Sequence, residues 1–303
     1  MRILVTGASG LIGKELQKSF TKKKYELLLA TRSEPKKPNE IQWDTQKGFA
    51  ANDLIRLERL DAVVHLAGEN ISGLRWTEEK KRAIRDSRVF GTRNLIETFT
   101  KLTKKPKVFV SASAIGFYGD RGDDAVNEMS GAGDTFLGGT CKEWESEARR
   151  AEELGIRTVL LRTGIVLSKD GGALAAMLTA FKFGVGGVIG SGKQWMSWIA
   201  LADIVTIYNK CIENENMRGA VNAVSPNPVT NEEFTKTLGR VLSRPTILPL
   251  PEFAVNLMFG EMGDALLIDS TRVVPKRLED AGFEFEFPHL KGALEHALHA
   301  ASI

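Results

Sequence analysis

Short apolar segments alternate with amphipathic segments along the first half of the chain. Short apolar runs bounded by polar turns are typical of strands buried on both faces of a parallel sheet. They lie at Ile3 to Thr6, Glu26 to Thr31, Ala62 to Ala67, Lys107 to Ser111 and Thr158 to Leu161. The amphipathic segments predict helices at Leu11 to Thr21, Thr77 to Thr100 and Lys142 to Leu154. This order predicts an α/β fold, a doubly wound parallel sheet with helices on both faces.

The pattern changes after about residue 170, where a glycine-rich segment covers Gly184 to Gly192. Helices are predicted near Ala202 to Ile212 and Asn231 to Leu242, and the segment after Pro251 predicts a small helical lobe. We expect residues 1–170 to form a Rossmann-type nucleotide-binding domain, completed by later strands from residues 185–225. Residues 171–303 would form the smaller, mostly helical lobe on the substrate side, packed against it as one unit.

Composition and charge narrow the choice of partners. The 303-residue chain has 41 Lys and Arg residues against 38 Asp and Glu, a formal charge of +3, which does not favour nucleic acid. Two cysteines and four scattered histidines supply no disulfide framework and no metal-ligand spacing. The first strand begins at Ile3, and no apolar run is long enough to span a membrane. We therefore expect a folded cytoplasmic protein without metal or membrane.

A glycine-rich turn joins the first predicted strand to the first helix. Gly7, Gly10 and Gly13 have the spacing in which the first glycine turns the chain and the second admits a pyrophosphate. The third lets the helix pack close to the strand, and the helix then begins at Leu11 and Ile12 with its positive end toward the phosphates. Packing alone would explain one or two of these glycines, so the turn predicts a dinucleotide site.

The end of the second strand selects the cofactor. An acidic residue there binds a ribose 2′-hydroxyl, whereas an arginine accommodates a 2′-phosphate. The sequence has Thr31 and Arg32 at this point, with Lys36 and Lys37 close behind. This favours NADP(H) over NAD(H), although a surface arginine after a strand is also common.

A second glycine motif resembles a phosphate-binding loop but does not match its full pattern. Gly187 to Lys193 has the spacing of a phosphate-binding P-loop, but Gln194 follows where a serine or threonine would hold Mg²⁺. Nucleotide hydrolysis is therefore not expected. Glycine-rich segments also serve as mobile lids, and this one, with Trp195 and Trp198 beside it, is a candidate for the wall of a substrate pocket.

The whole chain resembles the extended or atypical short-chain dehydrogenase/reductases, and within them the epimerase family related to nucleotide-sugar epimerases. The general motifs are the glycine turn, Asp61 to Gly68 and Phe109 to Gly119. The more specific ones are Gly68 to Ser72, Arg75-Trp76, Ser87-Arg88, Gly91 to Arg93, Leu161 to Leu167, Gly187 to Gly192, Asn222 to Pro226 and Pro275 to Phe283.

The resemblance implies further cofactor residues. Thr31 and Arg32 would face the 2′-phosphate of NADP(H), and Arg88 would reach inward from the long helix. Val166 would contact the nicotinamide end through its backbone. The adenosine and pyrophosphate side would be lined by Leu66, Ala67, Gly68 and Glu69. The superfamily also implies a homodimer through the Thr77 to Thr100 and Lys142 to Leu154 helices.

The catalytic pattern of the superfamily is incomplete. It uses a serine or threonine, a tyrosine and a lysine four positions after the tyrosine, because the alcohol oxygen must exchange a proton during hydride transfer. Ser113 matches the serine. If Lys142 is the lysine, Gly138 stands at the tyrosine position. If Glu145 marks the register, Leu137 and Cys141 occupy the two positions.

Three residues are candidates to replace the missing acid: Tyr118, Lys142 and Cys141. Tyr118 is more typical of packing at this strand end, and nothing in the sequence lowers the pKa of Cys141. The main hypothesis is an NADP(H)-dependent oxidoreductase or epimerase-like enzyme for a small polar, nucleotide-sugar-like substrate. The alternative is a non-catalytic NADP(H)-binding sensor or interaction protein.

Overall fold

The protein is built around a parallel sheet, and the computed structural model describes residues 1–73 and 75–299. The strands are β1 Arg2–Thr6, β2 Glu26–Thr31, β3 Glu40–Gln42, β4 Ala62–His65, β5 Val108–Ala114, β6 Ala125–Val126, β7 Arg157–Thr163, β8 Ile165–Leu167, β9 Trp195–Met196, β10 Trp198–Ala200, β11 Gly219–Ala223, β12 Val229–Thr230 and β13 Arg272–Val273. Seven of them form the central sheet in the order β11-β7-β5-β4-β1-β2-β3. All its neighbouring strands are parallel, so their carboxyl ends share one edge.

Helices cover both faces of this sheet. They are α1 Leu11–Lys22, α2 Glu78–Lys101, α3 Phe136–Arg149, α4 Gly172–Lys182, α5 Leu201–Glu213, α6 Asn231–Leu242, α7 Glu252–Phe259, α8 Glu261–Gly263, α9 Lys276–Asp280 and α10 Leu290–His299. On one face, Leu16 and Phe20 of α1 share a core with Ile204 of α5. On the other, Leu95 of α2 and Ala148 of α3 share a second core. The predicted doubly wound fold is confirmed.

A smaller lobe continues from the sheet. Its own core joins α4, α6 and α10 through Leu178, Phe234 and Leu294. Short strand pairs, β8 with β10 and β9 with β12, connect this lobe to the end of β7. No helix among residues 1–73 and 75–299 combines the length and apolar character needed to cross a lipid bilayer.

Several predicted elements differ from the structure, and three of the differences concern β4, α3 and α4. β4 ends at His65, before the predicted Ala67, because the amides of Leu66 and Ala67 turn toward the Thr6 hydroxyl. α3 begins at Phe136, six residues earlier than predicted, because the Thr135 side chain caps it by accepting from the Gly138 amide. The sequence pattern also missed α4, whose residues are apolar on most sides.

Candidate functional site

The glycine turn between β1 and α1 lies at the carboxyl edge of the sheet and leaves no space for a side chain at Gly7 or Gly13. Gly7 has φ 67°, and a Cβ on it would lie 2.8 Å from the Ala67 nitrogen. A Cβ on Gly13 would lie 2.5 Å from the Gly7 carbonyl oxygen. Gly10 caps α1, and the first turn of α1 has no acidic residue. The backbone amides and the positive end of α1 are therefore available to a phosphate group.

The end of β2 brings Thr31 and Arg32 to the same edge. Thr31 is half-buried and the Arg32 side chain is exposed. Arg32 lies near enough to Glu69, beyond β4, to help lower the pKa of that carboxyl group; the main cause is the hydrogen bond from Lys80. Arg32 thus lies at the edge of the sheet, after β2, where a ribose 2′-phosphate would lie in a Rossmann site.

Arg88 holds the loop after β4. One of its terminal nitrogens donates to the carbonyl oxygens of Glu69 at 3.0 Å and Ile84 at 2.9 Å. Its guanidinium carbon lies 3.2 Å from where a Cβ on Gly68 would stand, and burial lowers its pKa. No carboxylate in the described part of the chain forms an ion pair with Arg88. A half-buried cation whose partners are two carbonyl oxygens and the Trp144 ring, with no paired carboxylate, is suited to a nearby anionic phosphate.

The opposite end of the cleft is apolar. Leu11 in the first turn of α1 lies 3.9 Å from the position of a Cβ on Gly172, at the start of α4. The Val166 carbonyl oxygen lies 3.7 Å from the same position. Ile12 and Val166 both pack against the core of this face. These contacts place the Val166 backbone near the first turn of α1 and the start of α4, and its contact with a nicotinamide stays a prediction.

A buried polar network lies below the end of β5. The Ser113 hydroxyl donates to Glu145 at 2.8 Å, and Glu145 accepts from two Arg162 nitrogens at 2.7 and 2.8 Å. Arg162 also donates to the Tyr118 oxygen at 3.0 Å, and Tyr118 donates to Asn222 at 2.7 Å. Burial acts to lower the pKa of Arg162, but the hydrogen bond and charge of Glu145 outweigh it and raise the pKa.

The three catalytic candidates therefore have different surroundings. Ser113 and Tyr118 are buried, and both hydroxyls are donated into the network. Burial raises the pKa of Tyr118, against the lowering effects of Arg162 and Asn222, so its hydroxyl stays protonated at neutral pH. Lys142 is exposed on α3 and lines a cavity of about 460 Å³ with Phe117 and Thr135. The structure does not bring these three side chains together at one point.

The packing of α3 decides between the two registers of the catalytic helix. Gly138 is buried, and a Cβ there would collide with the Gly133 carbonyl oxygen, so no tyrosine fits at 138. Glu145 faces the network, and if Glu145 marks the register, Leu137 and Cys141 occupy the tyrosine and lysine positions. Burial raises the pKa of the Cys141 thiol to about 11, so it is a neutral thiol rather than a nucleophile at pH 7.

Trp195 and Trp198, the two aromatic candidates on the substrate side, both donate hydrogen bonds within the protein. Trp198 is fully buried and donates to the Asn227 carbonyl at 3.0 Å. Trp195 is half-buried, donates to Asp123 at 3.0 Å and lies under the Arg272 guanidinium. The Gly184 to Gly192 segment is paired to the C-terminal lobe through hydrogen bonds between Val188, Gly190 and Leu250. The P-loop interpretation is excluded, because a strand and not a helix follows this segment.

Sequence reasoning missed a second polar cluster between β1 and β4. The Nδ1 atom of His65 lies 2.7 Å from the Thr6 hydroxyl, and its Nε2 atom lies 3.1 Å from the Thr92 hydroxyl. Burial lowers the pKa of His65 to about 3, so the ring is neutral. Thr6 in turn accepts from the Leu66 and Ala67 amides, so the cluster shapes the end of β4. The only signal was a polar residue inside an apolar strand.

This cluster predicts a pH effect on stability. An unfolded histidine titrates near pH 6.5, and His65 in the fold titrates near 3, so the unfolded state binds the extra proton between these values. Stability is lost as the pH falls through that window, by about 1.4 kcal/mol per pH unit from this group. Urea unfolding from about pH 6 to pH 4 should give a steeper loss for the wild type than for His65→Gln. Equal slopes would contradict the assignment.

Comparison with known sequences identifies the family. Residues 3–223 match the NAD dependent epimerase/dehydratase family. The chain belongs to that family. Residues 250–297 match a second domain, described as a domain of unknown function, DUF1731. The resemblance inferred from the sequence motifs is confirmed, and the fold is that of NAD(P)-binding epimerase/dehydratase proteins.

Relatives match over nearly the whole chain. The epimerase family protein YfhF of Bacillus subtilis is 36% identical over 303 residues, covering 98% of each chain. The human epimerase family protein SDR39U1 is 35% identical over 298 residues, covering 97% of this chain and 99% of its own. The crystal structure of the human protein with NADPH has a TM-score of 0.88 at 34% identity, covering 99% of this chain and all of that one.

More distant structures share the fold alone. The UDP-glucose 4-epimerase of Thermus thermophilus, in complex with NAD, has a TM-score of 0.77 at 16% identity. The match covers 99% of this chain and 100% of that chain.

Proposed function

We propose that this protein binds NADP(H) at the carboxyl edge of its sheet and transfers a hydride between the cofactor and a small molecule. The observation that carries the proposal is the glycine turn, where a Cβ on Gly7 or Gly13 would collide with backbone atoms, with Arg32 after β2 and Arg88 beside Gly68 at the same edge of the sheet. The NADPH in the structure of the human relative supports the choice of cofactor.

Different residues of the chain would bind different parts of the cofactor. The amides at the start of α1 would bind the pyrophosphate, and Arg32 would bind the 2′-phosphate. Leu66 and Ala67 would line the adenosine side, and Val166 would border the nicotinamide. A bound nicotinamide supplies a hydride donor or acceptor. The apolar wall around Leu11 and Val166 would exclude water from that end of the cleft.

The sequence predicts a small polar, nucleotide-sugar-like substrate and an oxidoreductase or epimerase-like reaction. A second candidate function is an NADP(H)-binding sensor without chemistry. The observation that favours it is the register of α3, which leaves Leu137 and Cys141 where the superfamily has its tyrosine and lysine. An enzyme consumes NADPH in the presence of its substrate, whereas a sensor binds NADPH and leaves it unchanged.

The Arg32→Glu variant tests the cofactor assignment. A charged hydrogen bond to a phosphate contributes about 1.5–3 kcal/mol, so we expect NADPH to bind about 10- to 100-fold more weakly. NADH should be little affected, because it has no 2′-phosphate. Equilibrium titration of NADPH and NADH fluorescence measures both affinities.

Arg149→Glu, which makes the same charge change at the far end of α3, is the matched control and should leave both affinities unchanged. Equal wild-type affinities for NADPH and NADH would contradict the proposal.

A further inference from the structure

Apolar side chains gather at the point where the superfamily has its catalytic tyrosine. Trp76 and Phe136 pack edge to face, with ring centroids 5.3 Å apart. Leu137 follows Phe136 in the first turn of α3 and contacts the backbone position of Gly116. All three residues are half-buried, so part of each is exposed to solvent. We call Trp76, Phe136 and Leu137 the aromatic mouth.

The C-terminal lobe adds a second wall beside this mouth. The Arg75 guanidinium donates to the carbonyl oxygens of Leu257 and Met258, in the last turn of α7. Lys81 of α2 lies 5.1 Å from the centroid of the Phe136 ring and pairs with the residue that starts α8. The Leu257 side chain is 71% exposed. The lobe is thus tied to the mouth and presents more apolar surface next to it.

Acidic and hydroxyl groups near the mouth are engaged elsewhere. Glu69 is ion-paired with Lys80 at 2.6 Å. The hydroxyls of Ser113 and Tyr118 are donated into the buried network. A ketone or alcohol substrate needs a proton to move at its oxygen as the hydride moves. Lys142 lines the cavity with Phe117 and Thr135, whose lining does not include the aromatic mouth. The apolar surface and the engaged groups together favour a substrate that does not need this proton from the protein.

We propose that the aromatic mouth binds a flat, conjugated two-electron acceptor, a ring of the quinone or flavin type. This inference rests on the proposed NADP(H)-dependent function and names its substrate class. Such a ring takes the hydride, with its two electrons, from the reduced nicotinamide, which is released as the oxidised cofactor. The ring spreads the added charge over its conjugated system, and one proton from water completes its reduction. Trp76 and Phe136 supply the aromatic contacts for its face and edge.

Direct binding tests the mouth without relying on turnover. Calorimetric titration in the presence of NADP⁺ uses menadione as the quinone probe and riboflavin as the flavin probe, and we expect saturable binding of one of them. Trp76→Ala should weaken that binding about tenfold and leave the NADPH affinity unchanged. Ile55→Ala removes an apolar side chain that is 75% exposed, away from the cleft, and should change neither affinity.

NADPH oxidation, monitored in parallel with the titrations, shows whether a ring that binds is also reduced. Reduction of the ring that binds, with loss of saturation in Trp76→Ala, would support the inference and identify the source of the ring. If neither ring binds, the inference is overturned. Binding and turnover of a nucleotide sugar such as UDP-glucose would also overturn it. In both cases, NADPH binding by the wild type would still support the proposed function. Failure of the wild type to bind NADPH would overturn the proposed function itself.

Discussion

The Gly13→Ala variant is expected to lose measurable NADPH binding and about 1–3 kcal/mol of its free energy of unfolding. The added methyl group would lie 2.5 Å from the Gly7 carbonyl oxygen and 2.8 Å from the Ala8 Cα atom. Both are backbone atoms, so relief requires α1 to move away from β1. That movement displaces the amides of the glycine turn, which is why the cofactor and the stability are affected together.

Gly292→Ala in α10 is the matched control, because a Cβ there meets no atom within 4 Å. Alanine is a better helix former than glycine, so this variant should keep NADPH affinity and gain up to about 1 kcal/mol of stability. Urea unfolding and NADPH fluorescence titration on both variants make the comparison. If Gly13→Ala keeps its NADPH affinity and its stability as Gly292→Ala does, the close packing of α1 on β1 is contradicted.

The Glu145→Ala variant is expected to lower the free energy of unfolding by about 3–5 kcal/mol, since it leaves a buried guanidinium without its carboxylate. The side chains of Arg162 and Glu145 are only 4% and 5% exposed. Removing Glu145 also takes away the acceptor of the Ser113 hydroxyl, and it leaves Arg162 with the Tyr118 oxygen and the aromatic rings of Phe117 and Tyr118, none of which carries a negative charge.

An exposed ion pair on the same side of the sheet provides the control. Glu152 lies 3.9 Å from Arg149, and the two side chains are 48% and 45% exposed. Such pairs contribute little, so Glu152→Ala should change stability by less than about 0.5 kcal/mol. Chemical unfolding of both variants gives the two values. A loss below about 1 kcal/mol for Glu145→Ala would mean that water reaches Arg162 and that the network is not closed.

Local sequence signals predicted the parts of the protein that depend on local backbone geometry. The spacing of Gly7, Gly10 and Gly13 can be recognised without the rest of the fold, because all three lie in one strand-turn-helix unit, although Gly7 also lies against the backbone of Leu66 and Ala67 after β4. Arg32 was found in the same way, from its position after β2. The structure places all four at one edge of the sheet, and their role toward a cofactor stays a prediction.

Long-range contacts explain what the sequence could not predict. The register of α3 is decided by the Gly133 carbonyl oxygen, which leaves no space for a side chain at Gly138. Glu145 and Arg162 lie on a helix and a strand whose contact depends on the packed sheet, so their pairing has no local signature. His65 was read only as a strand residue, because its partners Thr6 and Thr92 are distant in sequence.

The most direct test of the account is a crystal structure of the wild-type protein with NADPH. The pyrophosphate is expected on the amides at the start of α1, the 2′-phosphate at Arg32 and the nicotinamide beside Val166 and Leu137. A cofactor bound elsewhere, or a 2′-phosphate without contact to Arg32, would contradict it.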